Sequence, residues 1–117
     1  TRLYPWGNGA ERINDACNSG EDQINNTTPV NKYPLGRSPF GVWDMVGNVW
    51  EWTSSIARDY PYAVYDGRET VASDEHRIVR GGSYLDIEEI SCFSRERFFP
   101  TKRSPQLGFR IVRVGGN

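Results

Sequence analysis

Apolar and polar residues alternate only in short runs along this chain, and no run holds a helical period. Asn48-Val49-Trp50-Glu51-Trp52 alternates behind a Gly47-Asn48 turn, so residues 41–53 read as strand, tight turn, strand. Residues 76–80 predict a strand running into Gly81-Gly82, where glycine permits a bulge or a close backbone approach. Residues 92–97 predict another, with Cys92, Ser94 and Glu96 on one face and Phe93, Arg95 and Arg97 on the other. Residues 107–114 alternate best and predict a full strand, subject to a bulge at Gly108. Residues 40–45 suggest one turn of helix, and residues 27–34 an extended strip, because each proline pushes its predecessor toward the β region. Residues 18–26 form a polar loop, residues 54–77 a long unpatterned one and residues 86–90 an acidic one. The fold class is therefore α+β, loop-rich, with short antiparallel strands and little helix, in one domain over residues 1–117.

Composition narrows this picture. Apolar content is 37% and aromatic content 13%, so aromatic side chains carry much of the burial. Twelve glycines and seven prolines argue against a helical bundle. The formal net charge of −1 gives no electrostatic case for nucleic acid or an anionic membrane as partner. No apolar run approaches the ~20 residues of a membrane-spanning helix. The two cysteines, Cys17 and Cys92, are too few for a disulfide framework; they read as reduced and buried, with a bridge across a long loop as the alternative. His76, the single histidine, cannot build a typical zinc site. The chain opens on buried-type aromatics, Tyr4 and Trp6, a start that suggests a preceding element.

The chemistry suggested by spacing is oxygen-rich. Asp44 before the Gly47-Asn48 turn, main-chain carbonyls at it and Glu51 after it can converge on one point, as a hard cation such as calcium requires. Asn18 and Asp22 lie in a second oxygen-dense loop, which reads either as a solvated turn or as a second cation site. It does not follow the EF-hand pattern. Tyr60, Tyr62 and Tyr65 lie in the long loop, as packing residues or as a binding surface.

Five segments in order carry a family resemblance: Tyr4-Pro5-Trp6-Gly7, Thr28-Pro29-Val30, Gly41 through Trp52, Arg80-Gly81-Gly82-Ser83-Tyr84 and Leu107-Gly108-Phe109-Arg110. Together they resemble the formylglycine-generating enzyme (sulfatase-modifying factor) family, whose fold is a variant of the C-type lectin fold. The resemblance implies a calcium site from the Asp44 and Glu51 side chains with the Gly47 and Val49 carbonyls. It implies another from Asn18, Asp22 and the Ile24 carbonyl, with Ser19 nearby. It also implies a family portion ahead of Tyr4 that this sequence lacks, and a symmetric homodimer is the simplest cover for the surface so exposed.

Catalysis transfers poorly. Oxidase members bind copper through two cysteines shortly after the Gly-Gly-Ser-Tyr segment, and copper(I) needs both soft sulfurs. Asp86 stands at the first of those positions, and Cys92 falls near the second with a different offset. Ser83 keeps the family's active-site serine position. The sulfoxide-synthase relatives bind iron through a separate N-terminal domain that lies outside this sequence. The reading is thus a calcium-stabilised, non-catalytic binding module without copper. Its ligand face is built from residues 60–74 and 86–103, with Tyr60, Tyr62, Tyr65, Arg95 and Arg97 as contacts for a protein, peptide or glycan. The competing reading is a cysteine-modifying oxidase, or a fragment of one, using Cys92 and Ser83 with a partner.

Overall fold

The computed structural model of the protein describes residues 1–88 and 90–116, so one position of the acidic loop, Glu89, lies outside the described residues. Four strands form one curled, mixed sheet in the order β3-β2-β1-β4. They are β1 (Trp50–Ile56), β2 (Arg77–Arg80), β3 (Arg95–Phe98) and β4 (Leu107–Gly108). Helix is confined to α1, a single turn at Ile13–Ala16, and three 3-10 turns. The chain is α+β, as its pattern predicts.

Three expectations are corrected. Residues 41–49 hold no strand, and residues 40–45 no helical turn. Asp44 and Asn48 both take positive φ, at 50° and 64°, and Gly41 and Gly47 do too, at 78° and 75°. A backbone that turns left-handed four times in eight residues cannot keep a ladder or a helix. The strand predicted over residues 107–114 stops at Gly108, and residues 109–114 run on unpaired with exposed side chains. Alternation there had no partner strand to act on. Finally, β4 runs parallel to β1, with Trp50 opposite Leu107, so the sheet is not purely antiparallel.

β1 and β2 pair Glu51 with Arg80, Trp52 with Val79 and Ile56 with Arg77. The register slips between Trp52 and Ile56. Arg77 fills that irregularity, donating to the Ser54, Thr70 and Val71 carbonyls. Those main-chain acceptors let a guanidinium sit almost fully buried without a carboxylate. Ile56, Ile78 and Val79 make the buried centre of the sheet. A second cluster of Tyr4, Cys17, Val46 and Ile90 lies beside it, with Trp6 stacked on Tyr4 at 4.9 Å. The aromatic opening segment is thus docked, and Cys92 N–H donates to the Leu3 carbonyl to hold it.

Candidate metal centre and ligand face

Asn48 joins the two oxygen-rich loops. Its N–H donates to the Asn18 carbonyl at 2.8 Å, and its side-chain amide bonds Thr28 on both sides. The Asn18 amide nitrogen donates to Asn48 Oδ1 and to the Asn26 carbonyl. Sequence reasoning took Asn48 only as a turn former, whereas its side chain ties residues 18, 28 and 44 together. Gly47 has a matching constraint: a Cβ there would stand 2.5 Å from the Asn18 carbonyl oxygen. Only glycine permits this approach at φ 75°.

Three side-chain oxygens in this region are buried without a hydrogen-bond partner: Asn18 Oδ1, Ser19 Oγ and Thr28 Oγ1. Asn18 is 0% exposed. Leaving such an acceptor unmatched costs about 1–3 kcal/mol. Outside the sheet, no main-chain hydrogen bond ends on the carbonyl of Gly47, Val49 or Ile24 among the described residues. Burial and the nearby carboxylates raise the titratable neighbours. Cys17 is pushed up to about 12, first by burial and then by Asp22 and Asp44. Tyr33, whose hydroxyl donates to Asp22 at 3.3 Å, is pushed up to about 12 by burial and by that carboxylate.

The Asp44–Glu51 corner differs. Arg110 forks onto Glu51, donating from Nε to Oε2 at 2.5 Å and from Nη2 to Oε1. The same guanidinium donates to the Trp43 and Asp44 carbonyls at 3.0 and 2.8 Å. Burial raises Asp44 to about 6, while Arg110 and the Asn48 amide pull it back and Glu51 adds to the rise. Glu51 is therefore already charge-matched, and the unmet demand concentrates on Asn18. The role of Arg110 escaped sequence reasoning, although it closes the Leu107-Gly108-Phe109-Arg110 segment. Among the described residues no three His, Cys, Asp or Glu side chains gather as a metal site. A cation here would rest on amide and main-chain oxygens as well as on carboxylates, a donor set that calcium accepts.

The residues of the competing oxidase reading do not converge on a thiol centre. Asp86 Oδ2 accepts from Ser83 N–H at 2.7 Å and from Ser83 Oγ at 2.6 Å, which closes the turn after the glycine pair. Ser83 and Asp86 line a cavity of about 240 Å³ with Trp50 and Gln106, and Cys92 is not among its walls. Both cysteines are free. Burial holds the Cys92 thiol above its ordinary value despite Arg2 and Arg80, so little reactive thiolate forms.

The tyrosine and arginine candidates divide. Tyr60, Tyr62 and Arg95 line one cavity of about 170 Å³. Tyr60, Arg95 and Arg97 line an adjoining one of about 420 Å³. Tyr65 is 99% exposed and joins neither. Arg68 orders this loop from within. It pairs with Asp66, donates to the Asp59 and Pro61 carbonyls and stacks on Tyr62 at 4.8 Å.

The chain matches the family described as "Sulfatase-modifying factor enzyme 1-like domain" over residues 1–114. It belongs to that family. It is 32% identical to the Formylglycine-generating enzyme of Bos taurus, over 95% of this chain and 33% of that protein. It is 31% identical to the Inactive C-alpha-formylglycine-generating enzyme 2 of Bos taurus, over 98% of this chain and 38% of that one. It is 41% identical to the Hercynine oxygenase of Mycolicibacterium thermoresistibile, over 95% of this chain and 26% of that protein. The chain thus spans well under half the length of these relatives. The solved structure of Treponema denticola variable protein 1 superposes with a TM-score of 0.69 at 24% identity, covering 87% of this chain and 37% of that one, which speaks for the fold alone. No helix among the described residues is long and apolar enough to cross a membrane.

Proposed function

We propose that this chain is a calcium-stabilised, non-catalytic binding module of the formylglycine-generating enzyme family, with its loops in a C-type-lectin-like arrangement. The observation that carries the reading is Asn18 Oδ1, fully buried and unpartnered in a loop otherwise dense in hydrogen bonds. Asn18, Asp22 and the Ile24 carbonyl would hold one cation. Asp44, the Gly47 and Val49 carbonyls and Glu51 would hold another, with Glu51 shared between the ion and Arg110. Calcium would supply no chemistry. It would add the positive charge that these oxygens lack and so tie residues 18–26 to the turn at residues 44–51. The non-catalytic half of the reading is supported by the half-buried Cys92 thiol, held above its ordinary value, and by the Asp86 carboxylate engaged with Ser83. The exposed side chains of Phe109, Ile111, Val112 and Val114 are the surface that a homodimer would cover.

Terbium luminescence tests this directly, because Trp43 and Trp50 flank the turn and can sensitise a bound lanthanide. Saturable emission that calcium competes away, and that Asn18→Ala weakens, is the expected result. Emission indifferent to calcium would sink the proposal. The oxidase alternative keeps one supporting observation, the cavity that holds Ser83 and Asp86. Oxygen uptake with a thiol peptide, lost in Cys92→Ser, would favour it.

A further inference from the structure

Arg80 on β2 and Arg95 on β3 are direct cross-strand partners. Like charges placed opposite each other destabilise a sheet pair. Here both side chains face the same cavity of about 170 Å³. Arg58 and Arg68 line it too, but they are neutralised by Glu75 and Asp66. Arg80 and Arg95 make no ion pair among the described residues. Arg80 donates to the Cys92 carbonyl and Arg95 to the Arg58 carbonyl, and both also act on the neutral Tyr60 phenol. Glu69 is engaged by the Ser54, Ser55 and Tyr62 hydroxyls, and Asp59 and Glu96 line the adjoining cavity rather than this one. Tyr60 closes the cleft, with the Arg95 guanidinium 4.5 Å from its ring centre. Arg95 and then Arg80 hold the Tyr60 phenol below its ordinary value, against the opposing effect of burial.

We propose that the cleft between Tyr60, Arg80 and Arg95 binds an oxyanion (a carboxylate, phosphate or sulfate) as the charged anchor of the module's ligand. The proposal rests on the binding-module reading above and adds the ligand's chemical class. A forked guanidinium pair matches the planar or tetrahedral oxygens of such a group. The adjoining cavity of about 420 Å³, which shares Tyr60, Ile78 and Arg95 and is also lined by Asp59, Glu96 and Arg97, leaves room for an uncharged or cationic remainder of the ligand. An anion here relieves the repulsion between the two arginines.

The test is a titration of the protein with sodium acetate, sodium phosphate and sodium sulfate in turn, at ionic strength held constant with sodium chloride. The arginine Nε–H and tyrosine ring resonances report binding. At least one series saturates where chloride does not, and the series that does identifies the oxyanion. Arg80→Gln and Arg95→Gln each weaken it by about tenfold or more, the scale of one lost charged hydrogen bond. Arg95→Lys recovers part of the affinity, and Tyr65→Ala changes nothing. Shifts no larger than those of chloride, or affinities unchanged in both glutamine variants, overturn the proposal. The calcium dependence of melting, measured on wild type and Arg95→Gln, separates the two levels. If it is kept while anion binding fails, only the ligand class falls. If it is absent from wild type, the calcium-stabilised module falls with it.

Discussion

Two regions on one small sheet are built for opposite charges. Ahead of β1, residues 17–28 and 44–51 crowd carbonyl, amide and carboxylate oxygens together. One buried amide oxygen there lacks any partner. Across β2 and β3, four arginines crowd a cleft, and two of them pair with no carboxylate among the described residues. The oxygen corner is rigid, because positive-φ residues and Asn48 fix its backbone. The arginine cleft is held by ion pairs and stacked rings at a more open surface. The same short strands support both, so the difference lies in how each loop is tied. Where main-chain groups must converge, glycine and asparagine do the tying; where side chains converge, arginine does.

The sharpest way to break the first region is Gly47→Ala. The added methyl meets the Asn18 carbonyl and forces alanine into a left-handed backbone, for a loss of about 2–5 kcal/mol. Chemical denaturation would report it, and the arginine cleft should then fail only with global unfolding. Arg110→Ala comes next. It strips the fork from Glu51 and frees the Trp43 and Asp44 carbonyls. The pair is partly exposed, so the loss is about 1–2 kcal/mol, or roughly 8 °C in Tm at the upper end. That variant also sharpens the comparison, since Arg110 is a guanidinium that serves the oxygen corner rather than the cleft.

The cleft has its own acid sensitivity. Arg68 holds the Asp66 carboxyl at about 2, below its usual range. A depressed folded pKa stabilises the protein fully above the unfolded value of about 4, and the benefit is lost as pH falls from there through about 2. Asp66→Asn should flatten the stability profile across that window and leave it parallel to wild type above it. An unchanged slope would mean that the pair is not formed in solution. The smallest effect is expected of Cys92→Ser. Its main chain, not its sulfur, bonds Leu3 and Arg80, so stability should stay within about 0.5 kcal/mol of wild type.

The two regions were unequally legible in the sequence. Asp44, Gly47, Val49 and Glu51 fall within eight residues, so a shared oxygen-rich corner could be proposed from spacing. So could the oxygen density around Asn18 and Asp22. The dependence of that corner on Asn48 and Arg110 could not, because it joins positions 20 to 67 residues apart. The cleft shows the same limit. Tyr60, Tyr62, Arg95 and Arg97 were candidates by residue type, but nothing local announces that Arg80 faces Arg95 across two strands. Tyr65 shared the pattern of its neighbours and turned outward. The overextended strand at residues 109–114 fails for a related reason. Alternation marks a segment that can pair, not one whose partner is present.

The most direct test of the central claim is thermal unfolding in excess calcium and again in chelator, on wild type and Asn18→Ala. Asn18 also donates two hydrogen bonds, so the variant will melt lower in both conditions. The quantity that decides is the calcium increment within each protein. The account predicts a large increment in wild type, of about 2.7 kcal/mol at a hundredfold excess over Kd, that Asn18→Ala mostly loses. No increment in wild type, or an equal one in both, would contradict it.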